Sequence, residues 1–269
     1  MIISASRRTD IPAHFAADFR HNMKLGFAEV KNPFRPSQTS RIGLRREEVD
    51  GFVFWTRDPR PFLSQVRELE EKGFPFYFLI THTAYPRQLE PLGVAPEEAV
   101  DAFRELSKLI GRDRIIWRYD PVVITSLTGP SFHRDNFQHL AEILAPFCFR
   151  VITSCLDLYR KTERRLARHG LLPPAGHDRY YRELTGRFAA AASSLGLQIQ
   201  SCCEGSDPDG SPAIPAGKCI DESLFNTRFG LALNYQKDPH QRPGCSCHVS
   251  RDIGHYATCP SGCLYCYAS

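Results

Sequence analysis

Gly51-Phe-Val-Phe-Trp55, a stretch in which Phe62, Val66 and Leu69 recur before Gly73, and Phe76-Tyr-Phe-Leu-Ile80 decide the fold of this chain. The two flanking runs are short, apolar and rich in aromatic and β-branched residues, which suits them to strands. Between them the apolar positions stand four and three residues apart, the period of a helix with one buried face, and a glycine stops it. Strand, helix and strand in that order make a βαβ unit, and such units build parallel sheets.

The alternation continues in both directions. Ile2-Ile-Ser-Ala5 is an expected first strand, followed by a helical stretch through Phe15, Phe19 and Met23 and a second strand at Phe27-Ala-Glu-Val30. Beyond Ile80, Pro96 opens a helix with Glu97 and Glu98 in its first turn, and Val100, Phe103, Ser107 and Ile110 mark its buried stripe. Strands are expected at 114–118, 149–153 and 198–202, with a helix through Phe137, Leu140 and Leu144 and two more at 159–169 and 177–195. These seven strands with intervening helices predict an α/β fold, a (β/α) TIM-type barrel that is incomplete or rearranged if strands are missing or out of order. A doubly wound open sheet is the competing layout, and both place function beyond the carboxyl ends of the strands. The residues there are Arg7, Arg8 and Asp10, Lys31 and Asn32, Thr56 and Arg57, Thr81 and His82, Arg118 and Asp120, and Cys202, Cys203 and Glu204. Such a ring suits a pocket for a polar or anionic ligand.

With 42% hydrophobic and 24% charged residues, the 269-residue chain has the composition of a folded protein long enough for one large domain. A net charge of +4 permits nucleotide or nucleic-acid contacts without arguing for them. Arg7, Arg8 and Asp10 stand where an export signal needs an apolar run, and no stretch approaches the ~18 apolar residues of a membrane span. A cytoplasmic protein without membrane contact is expected, and in that compartment its 10 cysteines are thiols and metal ligands rather than disulfides. None precedes Cys148, and most lie from Cys202 onward.

A turn-rich stretch after Glu204 breaks the periodicity and divides the chain into a barrel over 1–205 and a cysteine-rich, cluster-binding extension over 206–269. In the extension, Cys259-Pro-Ser-Gly-Cys263-Leu-Tyr-Cys266 places three thiols on one short loop, where they converge on a metal or an iron–sulfur cluster without long-range folding. Three cysteines on a four-iron cluster leave one iron open. Cys202, Cys203, Cys219, Cys245 and Cys247 are further candidate ligands: Cys219, Cys245 and Cys247 with one of the 202/203 pair complete a second cluster, an electron relay. The same thiols also admit a zinc site on Cys245, Cys247 and two later cysteines, with His248 or His255 as alternates.

The spacing Cys259-x3-Cys263-x2-Cys266, with Tyr265 before the last cysteine, resembles the cluster motif of the radical S-adenosylmethionine superfamily. Gly262-Cys-Leu-Tyr-Cys-Tyr-Ala268 is similar to the motif region of radical enzymes related to spore photoproduct lyase. The resemblance implies a [4Fe–4S] cluster whose open iron binds the amino and carboxylate groups of S-adenosylmethionine. It implies reduction by a donor such as a ferredoxin or flavodoxin, and cleavage to methionine and a 5′-deoxyadenosyl radical that takes hydrogen from a small or nucleotide-like substrate. In that superfamily the motif follows the first barrel strand, whereas here it comes last, and no Gly-Gly-Glu-like segment is placed to hold the methionine end. The ends of a barrel are neighbours, so a rearranged barrel returns the loop to the mouth near Ile2–Ala5.

A second resemblance spans nearly the full length. Ile2-Ile-Ser-Ala-Ser-Arg-Arg-Thr-Asp-Ile-Pro12, Val53-Phe-Trp-Thr-Arg-Asp-Pro59, Ile116-Trp-Arg-Tyr-Asp-Pro121 and Asp252-Ile-Gly-x-Tyr-x-Thr-Cys259 resemble the bacterial family catalogued as domain of unknown function 1848, which implies no activity.

At the mouth, Arg118 is read as anion binder and Asp120 as general base, with Arg7 and Asp10 beside them, and Arg8, Lys31 and Tyr265 as cofactor contacts. His82 is a proton carrier or a histidine hydrogen-bonded in place. Cys148 and Cys155 are buried small hydrophobes. The basic run Arg160, Lys161, Arg164, Arg165 and Arg168 is a solvated helix face, or else a surface for phosphate backbone. The reading is an iron–sulfur enzyme of the radical type. Its alternatives are an electron-transfer or redox-sensing protein with fully ligated clusters, and a zinc-stabilised nucleotide or nucleic-acid binding protein.

Overall fold

The structure, a computed structural model, describes residues 1–33, 35, 37–204 and 214–269, so the turn-rich stretch and the boundary expected at 205/206 lie outside the described residues. The strands are β1 (Ile2–Ala5), β2 (Phe27–Lys31), β3 (Thr39–Gly43), β4 (Gly51–Thr56), β5 (Phe76–Thr81), β6 (Ile115–Val122), β7 (Arg150–Cys155), β8 (Gln198–Ser201) and β9 (Arg251–Asp252). Seven of them form one parallel sheet in the order β8-β7-β6-β5-β4-β1-β9. The helices are α1 (Ile11–His14), α2 (Ala16–Leu25), α3 (Leu63–Glu71), α4 (Pro96–Ile110), α5 (Pro130–Leu144), α6 (Arg160–Arg168), α7 (His177–Ser194) and α8 (Glu222–Phe229).

Three expectations need correction. The strand at 27–30 exists as β2 but is not in the sheet: it pairs antiparallel with β3, Phe27 opposite Gly43 and Lys31 opposite Thr39. The seventh sheet strand is β9, whose Arg251 and Asp252 lie beside Ile3 and Ser4. Among the described residues no ladder joins β8 to β9, and the strands form one seven-stranded parallel sheet flanked by helices. The helix expected through Phe15 is two helices, because Asp10 caps a short first one by accepting from the Ala13 N–H at 3.0 Å and the chain leaves helical geometry at Phe15.

The sheet is covered on both faces. On one, Phe52, Phe54, Phe76 and Phe78 meet Phe19 and Phe62 from the helical layer, with ring centroids 4.8 Å apart for Phe54–Phe78 and 4.9 Å for Phe54–Phe62. Each such ring contributes about 2–3 kcal/mol by leaving water. On the other, Ile2, Val53, Trp55, Tyr77, Leu79, Ile116 and Ile152 are covered by Cys219, Ile220, Leu224, Phe225, Cys245 and Cys247 of the C-terminal segment. Double coverage is why β4 and β5 read as continuous apolar runs. It also explains Gly51: a Cβ there would stand 2.2 Å from Cε1 of Phe225.

His82 and His133 are buried in this core, and burial pulls both imidazoles down to about 4. The unfolded chain, titrating near 6.5, takes up protons first as pH falls, so the stability held above pH 6.5 is lost toward pH 4, approaching about 3 kcal/mol for each ring. Unfolding free energy measured by urea titration should therefore drop between pH 6.5 and 4.5, with a smaller drop in His82→Gln. Equal slopes in the two proteins would contradict this.

Candidate functional site

Pairing of β9 with β1 carries the end of the chain to the carboxyl ends of the strands. Asp252 fastens it there: its carboxylate accepts from Ser4 Oγ at 2.9 Å, Ser6 Oγ at 2.6 Å, the Arg7 N–H at 2.8 Å and the Gly254 N–H at 2.9 Å. Gly254 is required by closeness, since a Cβ would stand 2.0 Å from Ser6 Oγ. The following loop then crosses the strand ends. The Tyr267 hydroxyl donates to the Arg7 carbonyl at 2.9 Å, the Leu264 N–H to the Leu89 carbonyl at 3.0 Å, and His14 Nε2 bonds Ser261 Oγ at 2.8 Å. From α6, Arg165 donates to the carbonyls of Cys263 at 3.1 Å, Cys266 at 3.2 Å and Ser269 at 3.0 Å.

Tyr265 is buried and turned into the protein. Its hydroxyl donates to Glu90 and accepts from Arg57, the Arg57 guanidinium pairs with Glu90 at 2.9 Å, and Thr83 Oγ1 donates to Glu90 at 2.6 Å. Tyr85 meets its ring edge-on at 5.8 Å. Burial disfavours the Arg57 charge, but Glu90, Tyr265, Cys263 and Asp10 together outweigh it, so the guanidinium keeps its proton well above the ordinary range. Tyr265 thus locks the loop in place, and its hydroxyl is already committed to protein partners.

The three motif cysteines stand on this locked loop. Cys263 is buried and Cys259 and Cys266 are half-buried, with the Cys266 N–H closing a turn onto the Cys263 carbonyl at 3.1 Å. The Ala268 N–H donates to Cys266 Sγ at 3.4 Å. Burial pushes the Cys263 thiol up to about 11, against the pull of Arg57, which favours the charged form that a metal ligand needs.

On the inner face of the sheet, the one covered by the C-terminal segment, the Arg7 and Arg118 guanidiniums both lie over the Trp55 ring, 5.5 and 4.8 Å from its centroid. Arg118 pairs with Asp120, whose other oxygen accepts from Ser154 Oγ, and Arg7 stands 3.6 Å from Asp238. Among the described residues, Arg7 Nη2, Arg118 Nε and Trp55 Nε1 are buried without a hydrogen-bond partner. Donors left in that state favour an acceptor between them. Tyr267, from the motif loop, faces the same two arginines and Cys266.

Below this pair lies a second set of thiols. Cys219 Sγ donates to Cys202 Sγ at 3.5 Å, and Cys247 accepts from Cys219 and Cys245, which draws the Cys247 thiol well below its ordinary value. Cys203 adopts left-handed backbone geometry, φ 63°, and its sulfur turns toward Gly244. The alternate zinc ligand His248 is engaged through Nδ1, which accepts the Gln236 N–H at 3.1 Å.

The other expected site residues divide. Arg118, Asp120 and Arg7 do share one face. Asp10 is a cap that also accepts the Arg57 N–H at 2.8 Å, and Arg8 braces Asp252 and the Gly254 carbonyl. Lys31 is exposed on the β2–β3 hairpin, away from the sheet whose strand ends it was expected to crown. Cys148 and Cys155 are buried, as expected. Asp252, Glu90 and Arg165 were not singled out as site residues, and Arg165 is indistinguishable by composition from its exposed neighbours in the basic run. A cavity of 520 Å³ between α2 and residues 253–258 holds Thr9, Phe15, Phe19 and His255 but no thiol.

The family model described as a domain of unknown function (DUF1848) matches residues 2–268. No curated protein matches the chain. Among solved structures, a provisionally assigned alpha-L-fucosidase from Bacteroides thetaiotaomicron is 12% identical over 93% of this chain and 83% of its own, with a TM-score of 0.36, too low to carry an argument about fold or activity.

Proposed function

Because the chain belongs to the DUF1848 family, whose description assigns no activity, we propose its function from its own residues: Cys259, Cys263 and Cys266 hold a [4Fe–4S] cluster that serves reductive cleavage of S-adenosylmethionine. The observation that carries this is the place of β9. The motif is last in the chain, yet the strand before it is the edge strand next to β1, with β4 to β8 following on one side. Joining the chain ends and cutting between β8 and β9 would put the motif after the first strand, the order of the superfamily it resembles. On this reading the sheet is an incomplete TIM-type barrel with permuted order, and the loop over its strand ends is the cluster loop.

A cluster bound there supplies an electron at an iron with an open coordination position, drawn from a donor such as a ferredoxin or flavodoxin. The chain's own residues do the rest. Asp252 and Arg165 fix the loop, the Arg57–Glu90–Tyr265 triad holds its outer side, and Arg7 and Arg118 make the inner side cationic. The substrate therefore carries an acidic or strongly polar group held against the two guanidiniums, and Asp120, fixed by Arg118 and Ser154, orients Arg118 rather than acting as a free base. The test is composition: protein purified without oxygen should be brown and carry about four iron and four sulfide at this loop. A colourless protein without iron or sulfide would end the proposal.

A further inference from the structure

We propose that Cys202, Cys219, Cys245 and Cys247 hold one zinc ion in a closed tetrahedral site that staples the C-terminal segment to the inner face of the sheet. The four sulfurs come from three separate stretches, the end of β8, the turn before α8 and the stretch before β9, and they touch in the sequence Cys202, Cys219, Cys247, Cys245. As they stand, no group of three or more His, Cys, Asp or Glu among the described residues surrounds a single point. The chain of thiol contacts nonetheless supplies the four-sulfur donor set that a structural zinc ion takes. The scale is right for one ion. Zinc–sulfur bonds of about 2.3 Å give sulfur–sulfur edges of about 3.8 Å, close to the 3.5 Å between Cys202 and Cys219. A four-iron cube would spread its four thiolates well beyond contact.

The surroundings agree. The Ile220 N–H donates to Cys247 Sγ at 3.4 Å, the kind of backbone support that fixes a thiolate ligand. The Tyr77 hydroxyl donates to the Cys219 carbonyl at 2.7 Å, and the Cys202 N–H donates to the Thr153 carbonyl at 2.9 Å, so β5 and β7 hold two of the three stretches in register. Four thiolates on a divalent ion leave two negative charges, and Arg7 and Arg118 stand near enough to the set to offset part of them. Binding releases the thiol protons to water. With all four positions filled by protein the site has no room for substrate, so its role is to hold Arg7, Arg118 and the inner face together. Cys203, turned away on its left-handed backbone, takes no part.

Metal analysis tests this independently of the motif loop. Wild-type protein and Cys263→Ala should each carry about one zinc per chain, while Cys219→Ser and Cys247→Ser fall to a tenth of that or less. If those serine variants do not fold, wild type loaded with cobalt(II) gives the answer: the intense visible and thiolate-to-cobalt bands of a tetrahedral four-sulfur site are expected. Wild type without zinc, zinc retained in both serine variants, iron and sulfide lost in place of zinc, or a cobalt spectrum lacking those bands would each overturn the proposal.

Discussion

Asp252→Ala is expected to release the motif loop from the sheet and to lose the cluster with every cysteine intact. Two serine hydroxyls and the Arg7 and Gly254 N–H groups donate to this one carboxylate at 2.6–2.9 Å. Removing it strands backbone donors in a largely buried place, at a cost of about 1–3 kcal/mol for a buried group left unpaired and about 4 kcal/mol in all. β9 has only two residues, so little else keeps it paired to β1. Asp252→Asn keeps the shape but turns an N–H2 toward donors, and should fall between wild type and alanine. Denaturant unfolding and iron content read the two effects together. Wild-type stability with full iron in Asp252→Ala would show that Asp252 anchors nothing.

Cys263→Ala should abolish iron and sulfide at the loop while the protein stays folded. Cys263 is small and buried beside Leu264, Tyr85 and Leu89, so on packing alone its loss costs about 1–2 kcal/mol and should leave any bound iron in place. Cys148→Ala separates the two meanings of a buried cysteine. It removes a thiol that lies in the helical core and donates to the Leu144 carbonyl at 3.3 Å, so it should lower stability and leave iron unchanged. Equal iron in wild type, Cys148→Ala and Cys263→Ala would remove Cys263 from the ligand set.

The unit β4–α3–β5 was legible because burial on both sides leaves continuous apolar runs and a helix with one buried stripe. In α4 the expected stripe was turned slightly: Ala99, Ala102, Phe103, Leu106 and Ile110 are buried, with Val100 and Ser107 at its margin. β2 was misplaced although its alternation of Phe27, Ala28, Glu29, Val30 and Lys31, buried at Ala28 and Val30, is the mark of a strand with one wet face and not of a central parallel strand. β9 had no legible signal, because two residues carry no period and its pairing depends on Ser4 and Ser6 meeting Asp252 from the far end of the chain. The grouping of Cys219, Cys245 and Cys247 with one of the 202/203 pair, apart from the motif loop, was legible in the sequence, and which of that pair meets Cys219 was not. That choice depends on one left-handed backbone angle, at Cys203.

The central claim concerns an open iron on the loop at Cys259, Cys263 and Cys266, and S-adenosylmethionine reports on it directly. Added to protein purified and reduced without oxygen, it should change the paramagnetic resonance spectrum of the cluster and yield 5′-deoxyadenosine and methionine, with neither effect in Cys263→Ala. A brown, reduced wild type whose spectrum is unchanged by S-adenosylmethionine and which forms no 5′-deoxyadenosine would contradict the account.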